Sequence, residues 1–324
     1  MFSKKDKTNK SRQIEFQDFL CGTSTMDYII QKEPYEEQIE KACAFIKGAD
    51  AILVGAGAGA STAAGLSYSG KRFTENFGEF IKKYGTLYMQ DMYSAGFYPF
   101  PTEEAKWGYW SKHALLNRFE PPALPLYKAL FDISSKKEYF VLTTNVDGQF
   151  QKSGFSPEKI FATQGDYAKI QCQRACHQKT YDAENLFRKM DAARKNCLVP
   201  LELVPKCPVC GGKMAMNLRC DDFFVEDAQW HTQAERFADF LESCKSKKVV
   251  LLELGVGFNT PAIIRFPFEK LARENNSFTL LRLNKDEPFV PKSLENRAVG
   301  IGGNMAQAVF DIVYSLNFEF FCKF

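Results

Sequence analysis

Residues 51–66 read AILVGAGAGASTAAGL, and the fold turns on how this stretch is read. Residues 51–54 are a short apolar run that suits a buried strand. Gly55, Gly57 and Gly59 then remove side chains where the backbone is expected to turn. Ser61, Thr62, Ala63 and Ala64 can cap and begin a helix. A strand, a glycine turn and a helix N-terminus together offer bare N–H groups and a positive dipole end to a diphosphate. The spacing is not G-x-G-x-x-G, because Ala60 follows Gly59 and the next glycine is Gly65. No Gly-Lys-Ser/Thr follows, which excludes a Walker A loop. Tight strand–helix packing with no ligand accounts for the same glycines, so other stretches have to decide.

The chain has 324 residues, enough to bury a full core, and one large domain with a smaller appendage is the expected organisation. A net charge of +3 argues against bulk nucleic-acid binding and against anchoring on an anionic membrane. Lys4, Lys5, Lys7, Lys10 and Arg12 sit in a polar opening without a signal-peptide core, which reads as a solvated tail. No stretch has the apolar length of a membrane span. The expectation is a soluble cytoplasmic protein. Of ten cysteines, four form two close pairs, which in such a compartment suits a metal better than disulfides. Cys21, Cys43, Cys197, Cys220, Cys244 and Cys322 are scattered and read as small hydrophobes or idle thiols.

Residues 14–20 suit a short docked helix. Ile39, Ala42, Cys43 and Ile46 recur at helical spacing across residues 35–47, and an amphipathic helix there leads into the glycine strand. Residues 67–73 (SYSGKRF) read as a loop able to fold over the glycine site. Residues 76–90 and 91–118 look helical and aromatic-rich, interrupted by Tyr98, Pro99, Phe100 and Pro101, and aromatic density of this kind reads as core. Further strands follow at residues 139–144, 159–163, 249–254 and 278–283. They end respectively in Asn145-Val146-Asp147, Gln164-Gly165-Asp166, Gly255-Val256-Gly257 and Asn284. Apolar strands separated by helical segments indicate an α/β fold with a doubly wound parallel sheet. Ligands of such sheets sit beyond the carboxyl ends of strands, where these polar and glycine residues fall.

Two cysteine pairs interrupt the pattern. Cys172 and Cys176 form C-x3-C, and Cys207 and Cys210 form C-x2-C within KCPVCGG. Pro208, Gly211 and Gly212 let backbone amides point at thiolate sulfur, as in a zinc knuckle. Four thiolates close a tetrahedral shell with no position left for water, which is a structural zinc site. The long gap between the pairs holds a charged, helical stretch at residues 181–194, and His177 or Cys197 stands as an alternative fourth ligand.

Together these marks resemble the sirtuin family. Its GAG-x-S turn followed by A-A-G is matched by Gly57, Ala58, Gly59, Ser61, Ala63, Ala64 and Gly65. Its T-x-N-x-D motif is matched by Thr143, Asn145 and Asp147, its cysteine pairs by Cys172/Cys176 and Cys207/Cys210, and its later turns by Gly255-Val256-Gly257 and Leu283-Asn284. The resemblance covers roughly residues 35–315. It implies a Rossmann-like large domain (35–166 and 221–324) after an N-terminal extension (1–34), a zinc-binding small domain (167–220), and a helical insertion at about 71–118 that joins the small domain. It further implies NAD in the cleft between them. NAD is expected on Gly57, Ala58, Gly59, Ser61, Gly65, Arg72, Phe73, Thr144, Asn145, Gly255, Val256, Asn259, Asn284 and Met305.

The departures carry the functional reading. Sirtuin deacylases have a His-Gly pair, with histidine as general base toward the nicotinamide ribose, where this chain has Gln164-Gly165. Glutamine cannot titrate and can only position a group. Losing a general base costs on the order of 100- to 10,000-fold in that step. Cleaving the nicotinamide–ribose bond needs no such base; it needs an oriented dinucleotide and stabilisation of a cationic sugar. The P-D-F-R loop is replaced by residues 67–73, and residues 220–227 lack the F-G-E motif. The pattern resembles class M sirtuins, associated with protein mono-ADP-ribosylation, often of a lipoylated glycine-cleavage H-like carrier, beside a macrodomain hydrolase that reverses it. That resemblance implies catalytic roles for Asn145, Gln164 and Asp147, NAD and zinc as cofactors, and a protein acceptor. A deacylase using another base and a non-catalytic NAD- or ADP-ribose-binding module are the alternatives.

Overall fold

A computed structural model of the chain describes residues 27–258 and 261–321. Residues 14–20, the basic residues of the opening, Cys21, Cys322 and Asn259 lie outside the described residues. In chain order the strands are β1 (Tyr28–Ile29), β2 (Ala51–Ala56), β3 (Glu138–Thr143), β4 (Ile160–Ala162), β5 (Gly165–Cys172) and β6 (Thr180–Asp182). They continue with β7 (Met214–Leu218), β8 (Val249–Leu254), β9 (Phe278–Leu283), β10 (Val290–Pro291) and β11 (Ala298–Ile301).

β2 is apolar throughout because both its edges and both its faces are covered. It pairs in parallel with β3 on one side and β8 on the other, and all six of its residues are buried. Among the described residues the sheet has six strands in the order β11-β9-β8-β2-β3-β4, every pairing parallel. One face packs Ile39, Ile46, Leu130 and Ile312 of helices Tyr35–Gly48, Pro125–Ser134 and Met305–Phe321. The other packs Phe240 and Phe268 of helices Ala228–Ser243 and Arg265–Glu274. From β2 the chain runs outward to β3 and β4, and later outward the other way through β8, β9 and β11. The reversal lies at β2, so a crevice opens beyond the carboxyl ends of β2, β3 and β8.

A second core lies to one side. Phe73, Phe77, Phe80, Trp107 and Tyr109, from helices Lys71–Tyr84 and Glu103–Ala114, pack against Ile170, Cys172, Phe187 and Met216. The last four belong to the antiparallel sheet β6-β5-β7 and its helix Glu184–Ala193.

Several boundaries differ from those read in the sequence. β2 continues through Gly55, where a Cβ would meet Ile264 at 2.5 Å and Phe268 at 2.6 Å, so this glycine serves helix packing and not the turn. The next helix spans Ala58–Ala63 with Gly57 as its uncapped N-terminal residue, so Ser61 is inside it and does not cap it. The loop shrinks to residues 67–70, because helix Lys71–Tyr84 begins earlier than expected. β11 is not legible in the sequence: AVGI is too short to stand out, and Gly300 is required where a Cβ would lie 1.9 Å from the Pro288 carbonyl.

Candidate active site

Two cavities of the crevice adjoin helix Ala58–Ala63. The larger, ≈ 830 Å³, is lined by Gly59, Thr62, Gly255, Gly257, Asn284, Lys285, Glu287 and Met305. The smaller, ≈ 400 Å³, is lined by Ala58, Ser61, Thr62, Leu66, Tyr68, Thr144, Asn145, Asp147 and Tyr167. Thr62 borders both.

The loop after β3 positions the polar end of the smaller cavity. Thr143 Oγ1 accepts the Asn145 N–H at 3.0 Å, which turns the chain. The Asn145 amide donates to the Gly57 carbonyl at 3.0 Å and to the Tyr127 hydroxyl at 3.3 Å. Asp147 is buried; its carboxylate accepts the Ser61 hydroxyl and, at 3.0 Å, the Gln149 N–H. Tyr127 and Ser61 share a hydrogen bond of 2.8 Å. Burial pushes the Asp147 carboxyl up, against the opposing pull of the Ser61 and Gln149 hydrogen bonds and, more weakly, of Arg118. Tyr127 is not legible in the sequence, because a tyrosine on helix Pro125–Ser134 carries no local mark of the site it reaches.

Gln164 lies half-buried two residues beyond β4 and lines neither cavity; its carbonyl accepts the Arg219 N–H at 3.0 Å. Gly165 follows at φ +97°, where a Cβ would lie 2.0 Å from the Asn217 carbonyl. Asp166 then takes a two-pronged hydrogen bond from Arg118, at 2.7 and 3.1 Å. Among the described residues no histidine lines either cavity. His113 is fully buried against Tyr167 (4.7 Å between ring centres), and burial pushes its imidazole down to about 3. His177 lies beside the cysteine pairs, and His231 is on helix Ala228–Ser243.

The residues expected to hold a nucleotide divide. Gly59, Gly255, Asn284 and Met305 line the larger cavity, and Ala58, Ser61, Thr144 and Asn145 the smaller. The glycine amides are less bare than expected: Gly57 N–H donates to the Leu254 carbonyl at 3.0 Å and Gly59 N–H to the Gly255 carbonyl at 3.1 Å. The Asn284 amide donates to the Val256 carbonyl at 3.0 Å while its oxygen accepts two backbone N–H groups, so it shapes the cavity rim. Val256 is itself buried. Gly65 sits outside both cavities at φ +101°, closing the short helix. Phe73 stacks on Phe77 in the second core and does not reach the crevice. Arg72 spends its guanidinium on Ser67, Asn117 and Leu116 and lines neither cavity. Both were placed by the resemblance to a loop that here has become the first turn of a helix.

Cys172, Cys176, Cys207 and Cys210 converge, with all four Sγ atoms within 4.8 Å of one another. Cys172–Cys210 is 3.7 Å and Cys176–Cys207 is 3.6 Å. Sulfurs around a tetrahedral zinc with Zn–S of about 2.3 Å lie about 3.8 Å apart, so the four thiols fit that ion. The Gly212 N–H pulls the Cys210 thiol down, while desolvation and the neighbouring sulfurs push the Cys176 thiol up, so a bound metal would displace the remaining protons. His177 Nδ1 lies 3.1 Å from Cys176 Sγ, and its Nε2 meets the Tyr181 hydroxyl at 2.7 Å, which places it around the cluster with four thiols already converged. Cys197 is buried elsewhere, its carbonyl against Gly108.

The Sir2 family model matches residues 57–252. A Staphylococcus aureus (strain Mu50 / ATCC 700699) protein named protein ADP-ribosyltransferase is 36% identical over 264 residues, covering 81% of this chain and 83% of that protein. The chain belongs to the Sir2 family. A Fusarium oxysporum f. sp. cubense protein named probable bifunctional ADP-ribose hydrolase/ADP-ribosyltransferase is 30% identical over 316 residues, or 91% of this chain. This Sir2-family chain spans about half of that protein, 51% of its length. A solved Sir2 homologue–NAD complex matches with a TM-score of 0.57 at 14% identity, over 91% of this chain and 99% of that one. A Sir2 homologue in complex with ADP-ribose matches at 0.55, with 14% identity over 87% and 97%. At such identities the likeness is of fold, and it agrees with the Sir2-type parallel sheet and appended cysteine module.

Proposed function

We propose that the chain is an NAD-dependent protein mono-ADP-ribosyltransferase of the class M sirtuin type, working in the cytoplasm. The observation that carries the reading is the smaller cavity: it gathers Asn145, Asp147 and Ser61, and no imidazole of the described residues lines it. The relatives named as ADP-ribosyltransferases support it.

The larger cavity suits the adenosine and diphosphate of NAD, and the smaller one its nicotinamide riboside. When bound, NAD supplies an ADP-ribosyl group and a nicotinamide that leaves with the bonding electron pair. Asn145 is held between Gly57 and Tyr127, rigid enough to fix the ribose face. The buried Asp147 carboxylate balances positive charge on the sugar as the bond breaks, in surroundings where such a charge is weakly screened. Gln164 positions a hydroxyl or the incoming acceptor by hydrogen bonding and takes no proton. The acceptor therefore arrives already ionised or loses its proton to solvent. A lipoylated carrier protein is the proposed acceptor. A macrodomain hydrolase is the proposed partner that removes the mark, in keeping with the two activities named together in the Fusarium relative.

Incubation with labelled NAD, a lipoylated carrier and an acyl-lysine peptide tests the reading. Label on the carrier is expected. O-acyl-ADP-ribose from the peptide would replace the reading with a deacylase, and tight NAD binding without nicotinamide release with a non-catalytic module. Asn145→Ala and Gln164→Ala are each expected to cut labelling by on the order of 100-fold with an unchanged circular dichroism spectrum. Wild-type labelling by both variants would remove the catalytic assignment.

A further inference from the structure

Two loops carry the groups assigned to catalysis: the one after β3, with Asn145 and Asp147, and the one after β4, with Gln164. Each is fixed near its own strand, the first by Thr143 Oγ1 and the second by the Thr163 N–H to the Thr143 carbonyl at 3.0 Å. The side chain that joins their far ends comes from the second core, to which β5 and Asp166 also belong. Arg118 lies in a π-helical turn, Leu115–Phe119, that ends helix Glu103–Ala114 of the second core. Its Nε and Nη2 grip both oxygens of Asp166 at 2.7 and 3.1 Å, with the pair largely shielded from water. The same guanidinium lies flat against Gly148: a Cβ there would sit 2.2 Å from its central carbon, and Gly148 adopts φ +67°. Gly148 directly follows Asp147, and Asp166 directly follows Gly165. The Tyr167 N–H also donates to the Val146 carbonyl at 3.0 Å, so the loops touch along their backbones under the clamp.

We infer that Arg118 is a positioning residue, which sets the spacing of Asn145 and Asp147 relative to Gln164 by pinning Asp166 over Gly148. This rests on the proposed function for its effect on rate. A planar fork fixes both the distance and the plane of a carboxylate, which a lysine ammonium does not. A misplacement of about 1 Å in a reacting array costs on the order of 100-fold in rate. Arg118 sits in a π-turn, a feature frequent at functional sites.

The test uses the full-length protein with Arg118→Gln, Arg118→Lys and Asp166→Asn. The rate of nicotinamide release at saturating NAD and the Kd for NAD from calorimetry are measured together. Amide hydrogen exchange of residues 145–149 and 163–168 is followed in parallel. Arg118→Gln and Asp166→Asn are expected to release nicotinamide roughly 10- to 100-fold more slowly, with Kd within about threefold of wild type. Both segments should exchange faster together, and Arg118→Lys should fall between Arg118→Gln and wild type. A wild-type rate in any of the three variants overturns the inference. Unchanged exchange in the two segments also overturns it, and that arm holds even if wild type releases no nicotinamide, a result that would instead sink the proposed function.

Discussion

Asp147 has almost no contact with water, and it sits where the proposed chemistry needs a negative charge. Burial raises its pKa above the unfolded value of 3.8, so the folded state disfavours the ionised form. Stability therefore falls as the pH rises from 3.8 to the folded pKa, above which the full penalty stands. Asp147→Asn removes the charge and keeps the shape. It is expected to melt above wild type at pH 7.5, with the gap closing as the pH falls through the folded pKa toward 3.8, while transfer activity falls. A melting point below wild type at pH 7.5 would contradict this. Asn145 and Asp147 could be read from the sequence because they close an apolar strand, where ligands of parallel sheets gather. Tyr127 and Arg118 could not. Each sits on a helix more than fifteen residues from the loop it serves, and only the folded chain brings them together.

At the scale of elements, the helix after β2 and the turn after β8 lie backbone to backbone. A Cβ on Gly59 would stand 2.7 Å from the Gly255 Cα and 2.8 Å from its carbonyl oxygen, neither of which can swing aside. Gly59→Ala is expected to cost about 1–3 kcal/mol in urea unfolding. Because Gly59 and Gly255 both line the larger cavity, NAD affinity should fall with stability. β8 and β9 carry a different constraint. Their registers set Glu253 beside Arg282, and Arg282 reaches Glu253 at 2.7 and 2.8 Å and Glu269 at 2.8 Å, all three side chains fully buried. Arg282→Met takes away the hydrogen bonds that Arg282 gives both carboxylates and leaves Arg265, at 3.8 and 3.9 Å, as their remaining ion-pair partner; breaking such a buried network costs about 3–5 kcal/mol. A calorimetric melting point lowered by roughly 10 °C is the expected outcome. The strands themselves were plain in VVLLEL and FTLLRL. Their internal charges were not recognised as partners, because pairing depends on register, and register is a property of the assembled sheet.

For the whole molecule, the two cores divide the labour. The parallel sheet holds the crevice floor, and the second core ties the aromatic helices to the cysteine module through contacts such as Trp107 with Phe187, 6.1 Å between ring centres. One zinc per chain is expected by mass-spectrometric metal analysis. Cys207→Ser should lose it, and limited proteolysis should then cut within residues 71–119 as well as within the cysteine module. Cleavage confined to the module would argue against a shared core. The sheet has a further consequence, set by the position of β2 between β3 and β8. As the chain leaves the ribosome, β3 and β4 can join β2 early, but β8 follows only after the whole cysteine module. Until Val249 emerges, the edge of β2 that will receive it stays open: an apolar strand ready to pair with a neighbouring nascent chain. The strand that anchors the finished crevice is therefore the one a chaperone has most reason to cover during synthesis.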